Sequence, residues 1–348
     1  MKALYKYAPG ARAARLEEHP APQLTPRDNV FIRVSVCAVS AADLQIYQGK
    51  FSSTPPFIMG HEFVGEVESV FPGVTAVAPG DRVTVHPYLY ACGKCQSCRD
   101  GFPQYCEKKQ FLGVDRDGTL AEYITLPEES LHKIPASLPD NIACLAAPMA
   151  ALTGDILSTS LISPRETVLI VGSGQSALLA LIAAKAGGAA RVIVAGVTQD
   201  RPVRFPAAKA LGADLVVDTL TQDLSAVVLE ETGGLGAHLA IETTGTEAGV
   251  NNAIDCLRVG GRMACLGLSQ RESIAAKWDT AMEKFLTLRF FHTSDYREMD
   301  RALRILEEYP RDLKPLVTHP GKLEDWERVF DTLSRGGGIT GVLRIRPL

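Results

Sequence analysis

Apolar and polar positions alternate with a period near two along Val30-Phe31-Ile32-Arg33-Val34-Ser35-Val36, and again along Phe63-Val64-Gly65-Glu66-Val67-Glu68-Ser69-Val70. Such a period sends successive side chains to opposite faces and predicts half-buried strands. Proline and glycine separate these runs, so residues 1–150 are expected to be β-rich, with short strands joined by turns. From residue 165 the rhythm changes. Short apolar runs at Val168–Val171, Val192–Ala195, Leu215–Asp218, Leu239–Thr243 and Met263–Leu266 alternate with helical stretches. That pattern predicts βαβ units: a doubly wound parallel sheet with helices on both faces. Near the end, Arg297–Tyr309 and Leu323–Ser334 read as amphipathic helices and Gly341–Ile345 as a last strand.

A chain of 348 residues exceeds one ordinary core, so an α/β protein of two domains is expected. Its net charge of -4 offers no basic excess for phosphates, which argues against a nucleic-acid partner. No run of 18 apolar residues suits a membrane span, and the first ten residues lack the apolar core of a signal peptide. A cytoplasmic protein acting on a small molecule is the expectation.

Four of the eight cysteines fall in Cys92-Gly93-Lys94-Cys95-Gln96-Ser97-Cys98 and Cys106, a C-x2-C-x2-C-x7-C array. Clustered thiols in a protein of this type point to metal rather than disulfides. Four thiolates suit tetrahedral zinc and leave no position open for substrate, so one structural zinc per chain is expected. An iron–sulfur cluster is the rival reading.

Val168–Val171 runs into Gly172-Ser173-Gly174-Gln175-Ser176-Ala177, after which a helical stretch begins. A strand, a glycine turn and a helix N-terminus are what a dinucleotide pyrophosphate requires. At the end of the second strand an acidic residue would hold the ribose of NAD, but that position is Gly196. The nearest carboxylate is Asp200, followed by Arg201 and Arg204. A glycine leaves room for a 2′-phosphate that Arg201 could neutralise, so NADP(H) is favoured over NAD(H). The competing arrangement has Asp200 swinging back to the ribose.

Together these features resemble the zinc-containing medium-chain dehydrogenases, the superfamily of alcohol, sorbitol and threonine dehydrogenases. The resemblance spans essentially the whole chain. It includes Gly60-His61-Glu62-x-x-Gly65-Glu66-Val67, Pro79-Gly80-Asp81-Arg82-Val83, the cysteine array, the glycine turn, Lys209-Ala210-Leu211-Gly212-Ala213-Asp214 and Gly260-Gly261-Arg262. It implies a GroES-like catalytic domain over 1–150, completed by 288–348, and a Rossmann domain over 151–287. Thr153 resembles the threonine that lines the nicotinamide site, and a homodimer or homotetramer is implied.

The same resemblance implies a catalytic zinc, whose first ligand is a cysteine in a C-x-[ST]-D pattern. Here Asp43 is the aspartate, Ser40 stands at the cysteine position, and Ala42 replaces the hydroxyl that relays the alcohol proton. His61 fits the second ligand, Ala147 stands at the third, and Glu62 is the one spare carboxylate nearby. With two of three ligands missing, the sequence implies a member without catalytic zinc. Hydride transfer then suits an activated C=C, an iminium or an activated carbonyl. Candidate oxyanion donors and proton sources are Ser40, Tyr47, His61 and Tyr88, with Asp43 and Glu62 orienting or relaying. Two alternatives stand beside it: an alcohol or polyol dehydrogenase, metal-independent or zinc-dependent, and a nucleotide-binding pseudoenzyme scaffold.

Overall fold

The first alternating run folds into the ten-residue strand Val30–Val39, with Val30, Ile32 and Val34 fully buried. It pairs antiparallel with Glu62–Val70 on one side, and with Thr340–Arg344 and Tyr123–Leu126 at its two ends on the other. A computed structural model describes residues 1–158, 162–291 and 293–345, and these divide into two compact units. Met1–Ala150, Asp295–Glu307 and Val317–Leu348 form the first, Ala151–Ser294 and Glu308–Leu316 the second.

In the first unit a seven-stranded sheet is built around Val30–Val39, and a separate sheet joins Lys2–Lys6 to Ala14–Glu18 and Phe57–Ile58. The core holds Ile32, Phe63, Val67, Leu112 and Leu126, with Val329 and Phe330 from the terminal helix Trp326–Ser334. Leu323–Asp325, expected as the start of that helix, is a 3-10 turn before it.

In the second unit six parallel strands, counted along the chain from Thr167–Val171, lie in the order 3-2-1-4-5-6. Near-continuous apolar sequence explains this, because Val168–Ile170 and Val192–Val194 are fully buried. The sixth strand, Thr287–Phe290, crosses the expected boundary at 287/288 and pairs with Leu257–Cys265. Residues 308–316 also belong to this unit, where Tyr309 donates to the Leu211 carbonyl. Both shifts arise from long-range pairing that no local pattern announces.

Candidate functional site

The cysteine lobe is a loop whose left-handed turns at Gly93 and Gly101 fold it on itself. The four Sγ atoms of Cys92, Cys95, Cys98 and Cys106 lie within 4.8 Å of one another, the one such cluster among the described residues. Backbone N–H groups of Lys94 and Cys95 donate to Cys92 Sγ at 3.5 and 3.3 Å, and that of Cys92 donates to Cys106 Sγ at 3.3 Å. Donors aimed at sulfur favour the thiolate, and those from Lys94 and Cys95 pull the Cys92 thiol down to about 6. The four-sulfur geometry fits tetrahedral zinc.

At the glycine turn, Gly172 has φ of +118° and its missing Cβ would lie 2.2 Å from Thr243 Oγ1. That hydroxyl donates to the Val171 carbonyl at 2.9 Å, so a neighbouring strand end locks the turn and demands glycine. Gly174 differs, since a Cβ there would meet nothing within 4 Å. The space is open at the position that caps the helix Gln175–Ala186, whose first N–H groups receive no side-chain cap. Ser173 is buried, Gln175 half-buried and Ser176 exposed. This cradle fits a pyrophosphate.

The strand Arg191–Gly196 ends beside this turn, with Gly172 N–H donating to the Ala195 carbonyl at 2.8 Å. Arg201, expected to face a 2′-phosphate, is instead bound through Nε to Asp218 Oδ2 at 2.6 Å and through Nη2 to Thr221 Oγ1 at 2.9 Å. Asp218 sits at the end of the next strand, a partner that nearness in sequence could not suggest.

In the first unit Ser40 caps the helix Ala41–Tyr47. Its Oγ donates to Asp43 Oδ2 at 2.7 Å and accepts from Asp43 N–H at 3.0 Å. Asp43 is fully buried, and its Oδ1 has no hydrogen-bond partner. His61 is also buried with its Nδ1 unpartnered, and its ring lies 4.7 Å from that of Phe111. Phe111 in turn stacks on Tyr88 at 4.9 Å. Burial lowers the His61 pKa and the nearby Asp43 opposes this, so the imidazole is neutral at pH 7. Glu62 is buried at the start of its strand, opposite Ala38.

Tyr47 departs from expectation. Its ring packs edge-on against Trp326 at 5.7 Å and Phe330 at 5.4 Å, and its hydroxyl donates to Asp331 at 3.4 Å. It anchors the terminal helix and does not join His61. Ala147 and Thr153 are buried on the helix Ala146–Thr153. Phe111, on a two-residue strand too short to have a period, was invisible to pattern reading. At the positions where the resemblance implies catalytic zinc ligands, the Ser40 hydroxyl is engaged in the helix cap and the Ala147 side chain carries no donor atom.

A GroES-like unit bearing a four-cysteine cluster that fits a metal ion, and a unit with a dinucleotide cradle, define an NAD(P)-dependent oxidoreductase. Residues 26–136 match the alcohol dehydrogenase GroES-like domain and residues 177–308 match the zinc-binding dehydrogenase family. The chain is 33% identical to the sorbitol dehydrogenase of Halalkalibacterium halodurans over 344 residues, 99% of each chain. It is 32% identical to the L-threonine 3-dehydrogenase of Pyrococcus horikoshii, covering 97% of this chain and 96% of that one. A Sinorhizobium meliloti 1021 structure bound to NADP superposes with a TM-score of 0.90 at 25% identity, over 99% of both chains. The protein is a member of the zinc-type medium-chain dehydrogenase/reductase superfamily, and an enzyme.

Proposed function

We propose that this enzyme transfers hydride between NAD(P)H and a small or medium organic substrate without a catalytic zinc, reducing an activated C=C, iminium or carbonyl group. The observation that carries this reading is the Ser40–Asp43 pair. At the position where the resemblance expects a zinc thiolate stands a hydroxyl engaged on both its donor and acceptor sides. One histidine with Glu62 is a poor shell for zinc.

The bound nucleotide would supply or accept the hydride. The protein's own work is to steady charge on the substrate oxygen and to move a proton. Neutral His61 can donate an N–H to a developing oxyanion, a role worth several kcal/mol in comparable sites. Tyr88 and Phe111 give His61 an aromatic wall suited to an apolar guest. Asp43, near His61 and with Oδ1 free, is placed to orient it. In the cysteine lobe a bound zinc would be held by Cys92, Cys95, Cys98 and Cys106 and would order the loop.

The ground for NADP(H), room at Gly196 beside a free arginine, is weakened because Arg201 is held by Asp218. A second substrate class, alcohols and polyols, is favoured by the named sorbitol and threonine dehydrogenases. No helix among the described residues is long and apolar enough to cross a membrane, and the clustered thiols suit a metal site in the cytoplasm. A homodimer or homotetramer is supported by the edge strand Thr287–Phe290, where Phe290 and neighbouring Phe285 are 79% and 77% exposed.

Following NAD(P)H oxidation against enones, enals, iminium compounds and ketones, and NAD(P)+ reduction against polyols, tests the reading. Turnover of conjugated acceptors in chelator-treated enzyme supports it. Turnover of polyols alone, abolished by chelator and restored by zinc, contradicts it.

A further inference from the structure

The aromatic wall beside His61 ends at a cation. Tyr88–Leu89 and Gln110–Phe111 are short antiparallel strands with Tyr88 opposite Phe111, which puts both rings on one face of the pair. Lys109 lies two residues before Phe111, and its ammonium nitrogen stands 5.4 Å from the centre of the Tyr88 ring, within cation–π range. Four side chains therefore follow one another as His61, Phe111, Tyr88 and Lys109, at 4.7, 4.9 and 5.4 Å. His61 is buried, while Phe111, Tyr88 and Lys109 are half-buried. The row thus runs from a buried proton donor to a cation that water can reach.

Lys109 has capacity to spare. It donates one hydrogen bond, to the Cys106 carbonyl at 3.4 Å, and forms no ion pair with any described residue. An ammonium carries three donors, so two stay available for a ligand. Of the acids near it in sequence, Asp115 accepts from Phe111 N–H at 2.8 Å, Asp117 accepts from Ile58 N–H at 2.9 Å, and Glu107 is exposed. Arg116 adds no second charge, because it donates to Tyr90 Oη at 2.5 Å and to Asp28 at 3.1 Å. A ligand here meets one point charge. That suits a carboxylate, whereas a phosphate dianion is better held by several donors or an arginine fork.

We propose that Lys109 is an anion subsite for the substrate: a terminal carboxylate pairs with its ammonium, an unsaturated or aryl body lies on Tyr88 and Phe111, and the reacting carbonyl reaches His61. The substrate class is then a carboxylate-bearing enone, enal or activated ketone. The inference rests on the hydride-transfer reading above and names the substrate of that same site.

Steady-state kinetics with NAD(P)H on 4-carboxybenzylideneacetone, an enone with a para carboxylate, and on its methyl ester test it. The wild type is expected to prefer the acid about tenfold in kcat/KM, the scale of a hydrogen bond to a charged group, with the difference in KM. Lys109→Met is expected to abolish that preference and Lys109→Arg to keep most of it, and added salt should shrink it in the wild type. A wild type without the preference, an acid-to-ester ratio unchanged in Lys109→Met, or loss of zinc from Lys109→Met overturns the proposal and leaves hydride transfer standing. Turnover of neither compound counts against the hydride-transfer reading, and equilibrium dialysis of the acid then decides the subsite: weaker binding by Lys109→Met supports it, equal binding overturns it. Should Lys109→Met fail to fold, the acid-to-ester ratio of the wild type and its salt dependence decide.

Discussion

Ser40 and Asp43 complete one another: the serine hydroxyl donates to the aspartate at 2.7 Å while the aspartate N–H donates back to it at 3.0 Å. This reciprocal pair starts the helix Ala41–Tyr47 and engages the serine hydroxyl as both donor and acceptor. Replacing Ser40 by alanine removes the cap and strips a donor from a fully buried carboxyl. The expected cost is about 2 kcal/mol in chemical denaturation. Zinc content should not change, and a fall in bound zinc on Ser40→Ala would mean that the serine is a ligand after all.

His61 is assigned the donor role. The substitution His61→Gln is expected to lower kcat/KM by about 100-fold while nucleotide affinity stays within about twofold. Steady-state kinetics beside nucleotide titration separates the two, and unchanged turnover would remove His61 from the chemistry.

The two glycines of the cradle should behave differently. Gly172→Ala places a methyl 2.2 Å from Thr243 Oγ1 on a left-handed backbone, so a loss above about 2 kcal/mol or outright misfolding is expected. Gly174→Ala meets nothing within 4 Å, so stability should hold while nucleotide affinity falls about tenfold or more. Thermal melts with and without nucleotide read both. Equal destabilisation by the two variants would show that Gly174 serves the fold, not the ligand.

The local features were legible in the sequence. Cysteine spacing encodes a metal lobe, and the strand, glycine turn and helix encode a cradle, because each is built from neighbours along the chain. Ser-x-x-Asp at residues 40–43 also carries a capping-box signal that could have located the serine's role. What depended on distant partners was not legible. Tyr47 lies close to Asp43 in sequence, yet its ring packs against Trp326 and Phe330 of the terminal helix. Arg201 reads as free until the strand ending at Asp218 is laid beside it.

Burial lowers the pKa of His61, His132, His238 and His319, so each resists protonation in the folded state. Below the ordinary histidine value of 6.5 the unfolded chain takes up protons that the folded protein does not. Stability is therefore expected to fall as the pH drops from 7.5 to 5.5. The carboxyls held low by hydrogen bonds, Asp81 and Glu128, begin to weaken the fold only in more acid solution. Urea midpoints across that range read the slope, and a flat profile would contradict the buried-neutral assignment.

Metal analysis of the purified enzyme tests the central claim most directly. The described residues offer one cluster of metal donors, the sulfurs of Cys92, Cys95, Cys98 and Cys106. The account expects about one zinc per chain, lost together in the Cys92→Ser variant while His61→Ala retains it. Two zinc ions per chain, one of them lost on His61→Ala, would contradict it.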